Sequence, residues 1–210
     1  MKKTIDLTTW NRREHFAFFS SLNEPFHGLV VNLDCTATVT HCRAQQQPFF
    51  LTYLHKILQA VNETDAFRQR IEGGAVVEYD RVHCNATVAR KDRTFGFCSI
   101  DFDPDFARFV PAAQAAVLRV QQGSGLGLKD TAVRNNDVHF SALPDVRFTG
   151  LTHARRYGTE SCEPKISVGK IFEEGARWWM PVATFVHHGL VDGQHVSAFL
   201  NRTEALLQAP

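Results

Sequence analysis

Apolar residues alternate with polar ones from Gly28 to Thr40, in a stretch rich in Val, Leu and Thr, and that period predicts a strand. The spacing then changes. After Pro48, the residues Phe49, Phe50, Tyr53, Leu54, Ile57, Leu58 and Val61 recur at three and four positions, which predicts a helix with a broad apolar face. Gly73-Gly74 divides two short extended runs into a hairpin. Cys84 to Ile100 reads as another, with Lys91-Asp92-Arg93 at its tip. Asp103-Pro104-Asp105 supplies capping chemistry for a second helix running to about Gln122, and Pro111 inside it predicts a kink or break. Lys165 to Phe172 and Trp178 to His187 are β-like runs around Glu173-Glu174-Gly175-Ala176. Asp192 to Gln208 closes the chain as a helix with Val196, Phe199, Leu200, Leu206 and Leu207 facing inward. With no repeat or linker, strands mixed with about three helices predict one two-layer domain of α/β or α+β class over residues 1–210.

Composition narrows the function. The 210 residues are 44% hydrophobic, enough for a folded core without a metal or disulfide staple. Lys and Arg number 23 against 22 Asp and Glu, a net charge of +1, so nothing favours a nucleic acid or an anionic membrane as partner. No apolar run approaches the ~18 residues of a membrane span, and Met1-Lys2-Lys3-Thr4-Ile5-Asp6-Leu7 turns polar too soon for a signal peptide. The expected location is the cytoplasm. Cys35, Cys42, Cys84, Cys98 and Cys162 are odd in number and contain no C-x-x-C pair, so they read as buried reduced thiols. The N-x-T triplets at Asn62, Asn85 and Asn201 read as chance matches. Gly123-Ser124-Gly125-Leu126-Gly127 follows a helix and lacks the Gly-Lys-Ser/Thr ending of a phosphate loop, so it reads as a connection.

The segment with the most chemistry is Val186-His187-His188-Gly189-Leu190-Val191-Asp192-Gly193-Gln194-His195, where a predicted strand ends and a helix begins. An imidazole with an ordinary pKa near ~6.5 can take a proton from an alcohol as general base. A carboxylate four residues later can fix the turn. Alone, the pattern also fits a loop histidine and a helix-capping aspartate. A metal site on His188, Asp192 and His195 is disfavoured, because Gly189 and Gly193 interrupt a shared helix face.

His187-His188-Gly-Leu-Val-Asp192-Gly193 resembles the H-H-x-x-x-D-G signature of chloramphenicol acetyltransferases. The shorter H-x-x-x-D-G is shared with plant acyltransferases, condensation domains and the dihydrolipoyl acyltransferase core. Three more segments are similar to that first family: Trp10-Asn11-Arg12-Arg13-Glu14-His15-Phe16, Phe140-Ser141-Ala142-Leu143-Pro144 and Phe199-Leu200-Asn201-Arg202. The resemblance covers nearly the whole chain. It implies a two-layer α/β (α+β) sandwich in which helices cover a mixed β-sheet, the CoA-dependent acyltransferase fold. It also implies an O-acetyltransferase moving acetyl from acetyl-CoA to a hydroxyl of chloramphenicol, as in antibiotic resistance, without metal or acyl-enzyme. Alternatives within the fold are transfer to another small alcohol, or a non-catalytic trimeric binding protein.

The resemblance also assigns residues. His188 becomes the general base, with His187 turned the other way as a structural residue. Ser141 becomes the oxyanion donor, and Ser167, in the place of a family threonine, positions a water near the intermediate. Asp192 is implied to pair with the second arginine of the N-terminal motif, Arg13, and so to hold the histidine loop. Lys170 is a candidate CoA contact. Phe19, Phe26, His27 and Phe185 are candidates for the acceptor pocket, where they depart from the family pattern; Phe19 stands where a tyrosine is usual. Trp178-Trp179 reads as packing. The implied assembly is a homotrimer with its active site at the subunit interface, to which the 17 Phe are suited.

Overall fold

The computed structural model describes residues 1–128, 134–155 and 161–210. In chain order the elements are β1 (Lys2–Thr4), α1 (Arg13–Ser20), β2 (Phe26–Asp34), α2 (Thr36–Gln45), α3 (Phe49–Glu63), β3 (Gln69–Glu72), β4 (Ala75–Tyr79), β5 (His83–Ala89), β6 (Phe95–Ile100), α4 (Phe106–Gln122), β7 (Asp137–Leu143), β8 (Lys165–Gly169), β9 (Phe172–Glu174), β10 (Arg177–His187) and α5 (Gly193–Leu207). A small sheet has the order β1-β4-β3. The large one runs β2-β10-β8-β7-β5-β6, with β9 beside β10. Within it β5, β7 and β8 are mutually parallel and the other pairings antiparallel, so the sheet is mixed.

The alternation of each strand gives the large sheet two different faces. Ala86, Phe140, Ile166, Val168, Val182 and Val186 point to one side and are buried. Helices cover that side: Phe50 and Tyr53 of α3 pack on the ring of Phe140, and Val120 of α4 lies against Gly96. Phe199 of α5 stacks on Phe67 at 4.4 Å, joining the closing helix to the same core. The opposite face carries Thr87, Ser141 and Ser167 in register across β5, β7 and β8, with His139 and Lys165 two residues earlier on the last two strands. The segment after β7 lies over part of this face, with Phe148 against Gly169 and His153 edge-on to Phe185 at 5.0 Å.

Three expectations need correction. The predicted strand from Gly28 to Thr40 stops at Asp34, because its carboxylate accepts from the Thr36 N–H at 3.0 Å and hydroxyl at 2.6 Å and turns the chain into α2. Helix α4 runs through Pro111 without a break; Asp105 caps its start, and Phe109, Ala113 and Ala116 bury its inner face. The run from Lys165 to Phe172 divides into β8 and β9, both pairing along β10, as the Lys170 N–H leaves the sheet for the Val146 carbonyl at 2.8 Å. The five cysteines are buried and free. Among the described residues, no helix is long and apolar enough to cross a membrane.

Candidate active site

Strand β10 delivers the histidine pair, and alternation turns the two rings apart. His187 is buried at 4% exposure, edge-on to Phe26, and its Nδ1 accepts from the Gly189 N–H at 3.1 Å. Burial, then the positive charge of Arg155 and the neighbouring His188, push His187 down to about 4, so it is a neutral structural group at neutral pH. His188 is half-buried at the strand's end. Its backbone N–H donates to the Pro25 carbonyl at 2.8 Å, tying the turn to the segment entering β2.

The His188 ring lies between two flat neighbours. Phe19 from α1 stacks on it at 3.7 Å with the planes 8° apart, and His27 from β2 sits at 4.2 Å. His27 donates through Nε2 to the Val191 carbonyl at 3.1 Å, and burial lowers its pKa, which keeps a second charge away from His188. Among the described residues, neither ring nitrogen of His188 has a hydrogen-bond partner, and only Nδ1 is buried. Nε2 is therefore the nitrogen open to a proton.

Asp192 caps α5. Its carboxylate accepts from the Gln194 N–H at 3.0 Å and the His195 N–H at 3.4 Å, while His195 Nδ1 accepts the Asp192 N–H at 3.3 Å, a reciprocal capping box. The carboxylate is ion-paired to Arg12, whose second terminal nitrogen donates to the His188 carbonyl at 3.4 Å. Burial opposes ionisation here, but the hydrogen bond from Arg12, the field of His195 and the helix N–H groups prevail and bring Asp192 down to about 2. One guanidinium thus spans the carboxylate and the backbone of the catalytic candidate.

This corrects the arginine. Arg13 is exposed and, among the described residues, donates to the Thr8 carbonyl alone, at 3.4 Å. It opens α1 and projects outward, whereas Arg12 precedes the helix and lies about 100° around it, facing Asp192. Replacing Arg12 with methionine is expected to cost about 1–3 kcal/mol, between a surface and a buried pair. Replacing Arg13 with methionine should cost less than about 0.5 kcal/mol. Urea denaturation of both variants checks the difference.

The same shifts set the acid stability. His187 titrates lower folded than unfolded, so as pH falls from about 6.5 to 4 the unfolded chain gains a proton first and stability drops. Asp192 adds stability that is fully present above about 3.8 and lost as pH falls towards 2. Urea midpoints measured at pH 7, 5 and 3 should therefore fall in two stages. His187→Asn should shrink the first stage without abolishing it, since His27, His55, His83 and His153 are also lowered, each foremost by burial.

The remaining candidates lie elsewhere. Ser141 Oγ is bonded to Thr87 Oγ1 at 2.9 Å, and Ser167 Oγ, fully buried, has no hydrogen-bond partner among the described residues. Ser141, Ser167 and Ala183 are aligned across three neighbouring strands, and His188 lies five residues beyond Ala183. At strand spacings of ~4.8 Å across and ~3.4 Å along, Ser141 stands roughly 20 Å from His188 of its own chain. Phe19, Phe26 and His27 gather around the histidine pair, and Phe185 lies on the β8 side opposite Lys165. Lys170 is exposed just past the far end of β8, away from His188. Thr87, Arg12 and the His139–Lys165 contact were not singled out by sequence. The first motif arginine was a visible candidate; the other two depend on strand register.

A mixed sheet with helices on one face, carrying a histidine at a strand end and an arginine-held aspartate at the next helix, defines an acyltransferase of the CoA-dependent acyltransferase fold. The profile of the chloramphenicol acetyltransferase family matches residues 1–204. Chloramphenicol acetyltransferase 2 of Escherichia coli is 30% identical over 203 residues, 96% of this chain and 95% of its own. A solved chloramphenicol acetyltransferase superposes with a TM-score of 0.91 at 29% identity, over 99% of this chain and 100% of that one. The fold extends to a dihydrolipoamide acetyltransferase of Azotobacter vinelandii, with a TM-score of 0.69 at 18% identity over 93% and 86% of the two chains. The chain belongs to the chloramphenicol acetyltransferase family.

Proposed function

We propose that this enzyme transfers acetyl from acetyl-CoA to a hydroxyl of a small alcohol, with chloramphenicol, after which its relatives are named, as acceptor, in the cytoplasm. The observation that carries the reading is His188 itself, clamped between Phe19 and His27 with Nε2 open. Nε2 takes the acceptor's hydroxyl proton as the oxygen attacks the thioester carbonyl in a ternary complex. Ser141, supported by Thr87, donates to the oxyanion that forms. As the carbon–sulfur bond breaks, the leaving thiolate takes the proton back from His188. Asp192 and Arg12 position the loop and carry no proton.

The separation of Ser141 from His188 within one chain supports a shared site. One carbonyl can meet both only if the second comes from another copy, as a homotrimer with interfacial sites would supply. Ser167, beside Ser141, keeps the hydroxyl that would hold a water there. Lys170, just past the end of β8 away from His188, would meet CoA from that end. The direct test is thiol release from acetyl-CoA on adding chloramphenicol. Steady release supports the reading, and release with other alcohols alone moves the acceptor to a second one of the same fold. That second reading is favoured by the charged side chain of Lys165 on the hydroxyl-bearing face. Absence of acetyl-CoA binding would point to a non-catalytic trimer.

A further inference from the structure

Lys165 is 6% exposed, on the strand face that carries Ser141 and Ser167. Its ammonium donates to His139 Nδ1 at 3.0 Å, which makes that imidazole the neutral acceptor with its proton on Nε2. Phe185 is its cross-strand neighbour, and His153 stands on the ring of Phe185. Among the described residues, no carboxylate lies within 4.0 Å of the ammonium. Glu163 acts on it only through space, and its own hydrogen bond is with Ser161 at 2.9 Å. Two of the three ammonium donors therefore have no protein acceptor among the described residues. A cation so nearly enclosed, with neutral imidazoles rather than a carboxylate around it, is costly until an anion arrives.

The register says where that anion belongs. Lys165 precedes Ser167 by two residues, and His139 precedes Ser141 by two, so the cation sits ~7 Å along the strands from the hydroxyl row. We propose that the acceptor carries an anionic oxygen group, carboxylate or phosphate, about 7 Å from its reacting hydroxyl, and that Lys165, backed by His139, is the residue that selects it. The assignment rests on the acetyl-transfer reading and names the acceptor class for it. It makes chloramphenicol, a neutral alcohol, a poorer acceptor than an anionic alcohol of comparable size.

The test compares 4-(2-hydroxyethyl)benzoate and 4-(2-hydroxyethyl)phenyl phosphate with 2-phenylethanol and chloramphenicol, each with acetyl-CoA. The full-length enzyme should show kcat/KM at least about ten-fold higher for an anionic acceptor than for 2-phenylethanol, and the two anions tell carboxylate from phosphate. In Lys165→Met the ratio should fall to about one with KM for acetyl-CoA unchanged, while Lys165→Arg should keep the preference. A ratio of about one in the native enzyme overturns the proposal. So does a Lys165→Met variant in which only acetyl-CoA binding weakens, since the cation then serves the phosphates of CoA. Calorimetric binding of 4-(2-hydroxyethyl)benzoate separates the two readings. Binding that depends on Lys165 without turnover of any acceptor leaves the anion site standing and removes acetyl transfer. Turnover of neutral alcohols alone does the reverse.

Discussion

Replacing His188 with alanine or glutamine is expected to lower kcat/KM for acetyl transfer by about 10²–10⁴-fold, the range for losing a positioned general base. Neither residue can accept and return a proton near neutral pH, and among the described residues around His188 no second base stands ready. His27 has its Nε2 committed to the Val191 carbonyl, and the ring of His187 is buried beneath the turn. Phe19 and His27 fix the imidazole plane, so the loss should fall on kcat, with acetyl-CoA binding retained in both variants. Phe19→Ala is the milder companion: it removes the stacked ring, leaves the base, and should lower kcat less than either His188 change. A His188→Ala enzyme that kept more than about a tenth of native kcat would remove His188 from the role.

Much of the fold could be read from the chain because period and local turn chemistry agreed. Helix α3 follows from its apolar spacing, and the β5–β6 hairpin from its flanking alternation. Helix α2 was read as strand because Thr36, Thr38, Val39 and Thr40 favour extended backbone, while the deciding contact is the Asp34 side chain on Thr36. Pro111 alone predicts a kink or break in α4, yet the helix continues through it, because its buried face outweighs one missing hydrogen bond. Helix α1 carries only eight residues and none fully buried, too little periodicity for its pattern to stand out.

The site divides along the same line. The histidine pair was legible because alternation at a strand end needs only adjacent residues. Choosing Arg12 over Arg13 needs the residue at which α1 begins, and one residue of phase reverses the answer. The contact of Thr87 with Ser141 and of Lys165 with His139 needs the register of strands separated by 54 and 26 residues. No local pattern encodes that register; it is settled by how the apolar faces of β5, β7 and β8 meet α3 and α4.

Mixing two damaged chains should restore activity. Ser141→Ala alone is expected to lose about 10²–10³-fold in kcat through the missing oxyanion donor. Beside it, His188→Ala alone loses the base. If one site takes His188 from one copy and Ser141 from the next, a randomly mixed trimer of equal amounts holds both native groups at about a quarter of its sites. Coexpressed chains should then show about a quarter of native activity, far above either parent. If both groups served one site within one chain, every copy would carry a lesion and no mixture could recover. The distance between the aligned Ser141–Ser167–Ala183 row and the end of β10 is what separates these outcomes. It is far longer than any hydrogen bond, and the ladder joining β7, β8 and β10 leaves no way to shorten it without breaking the sheet. Activity in the mixture no higher than the mean of the two parents would overturn the shared site, and a Ser141→Ala enzyme with native kcat would remove Ser141 from the reaction.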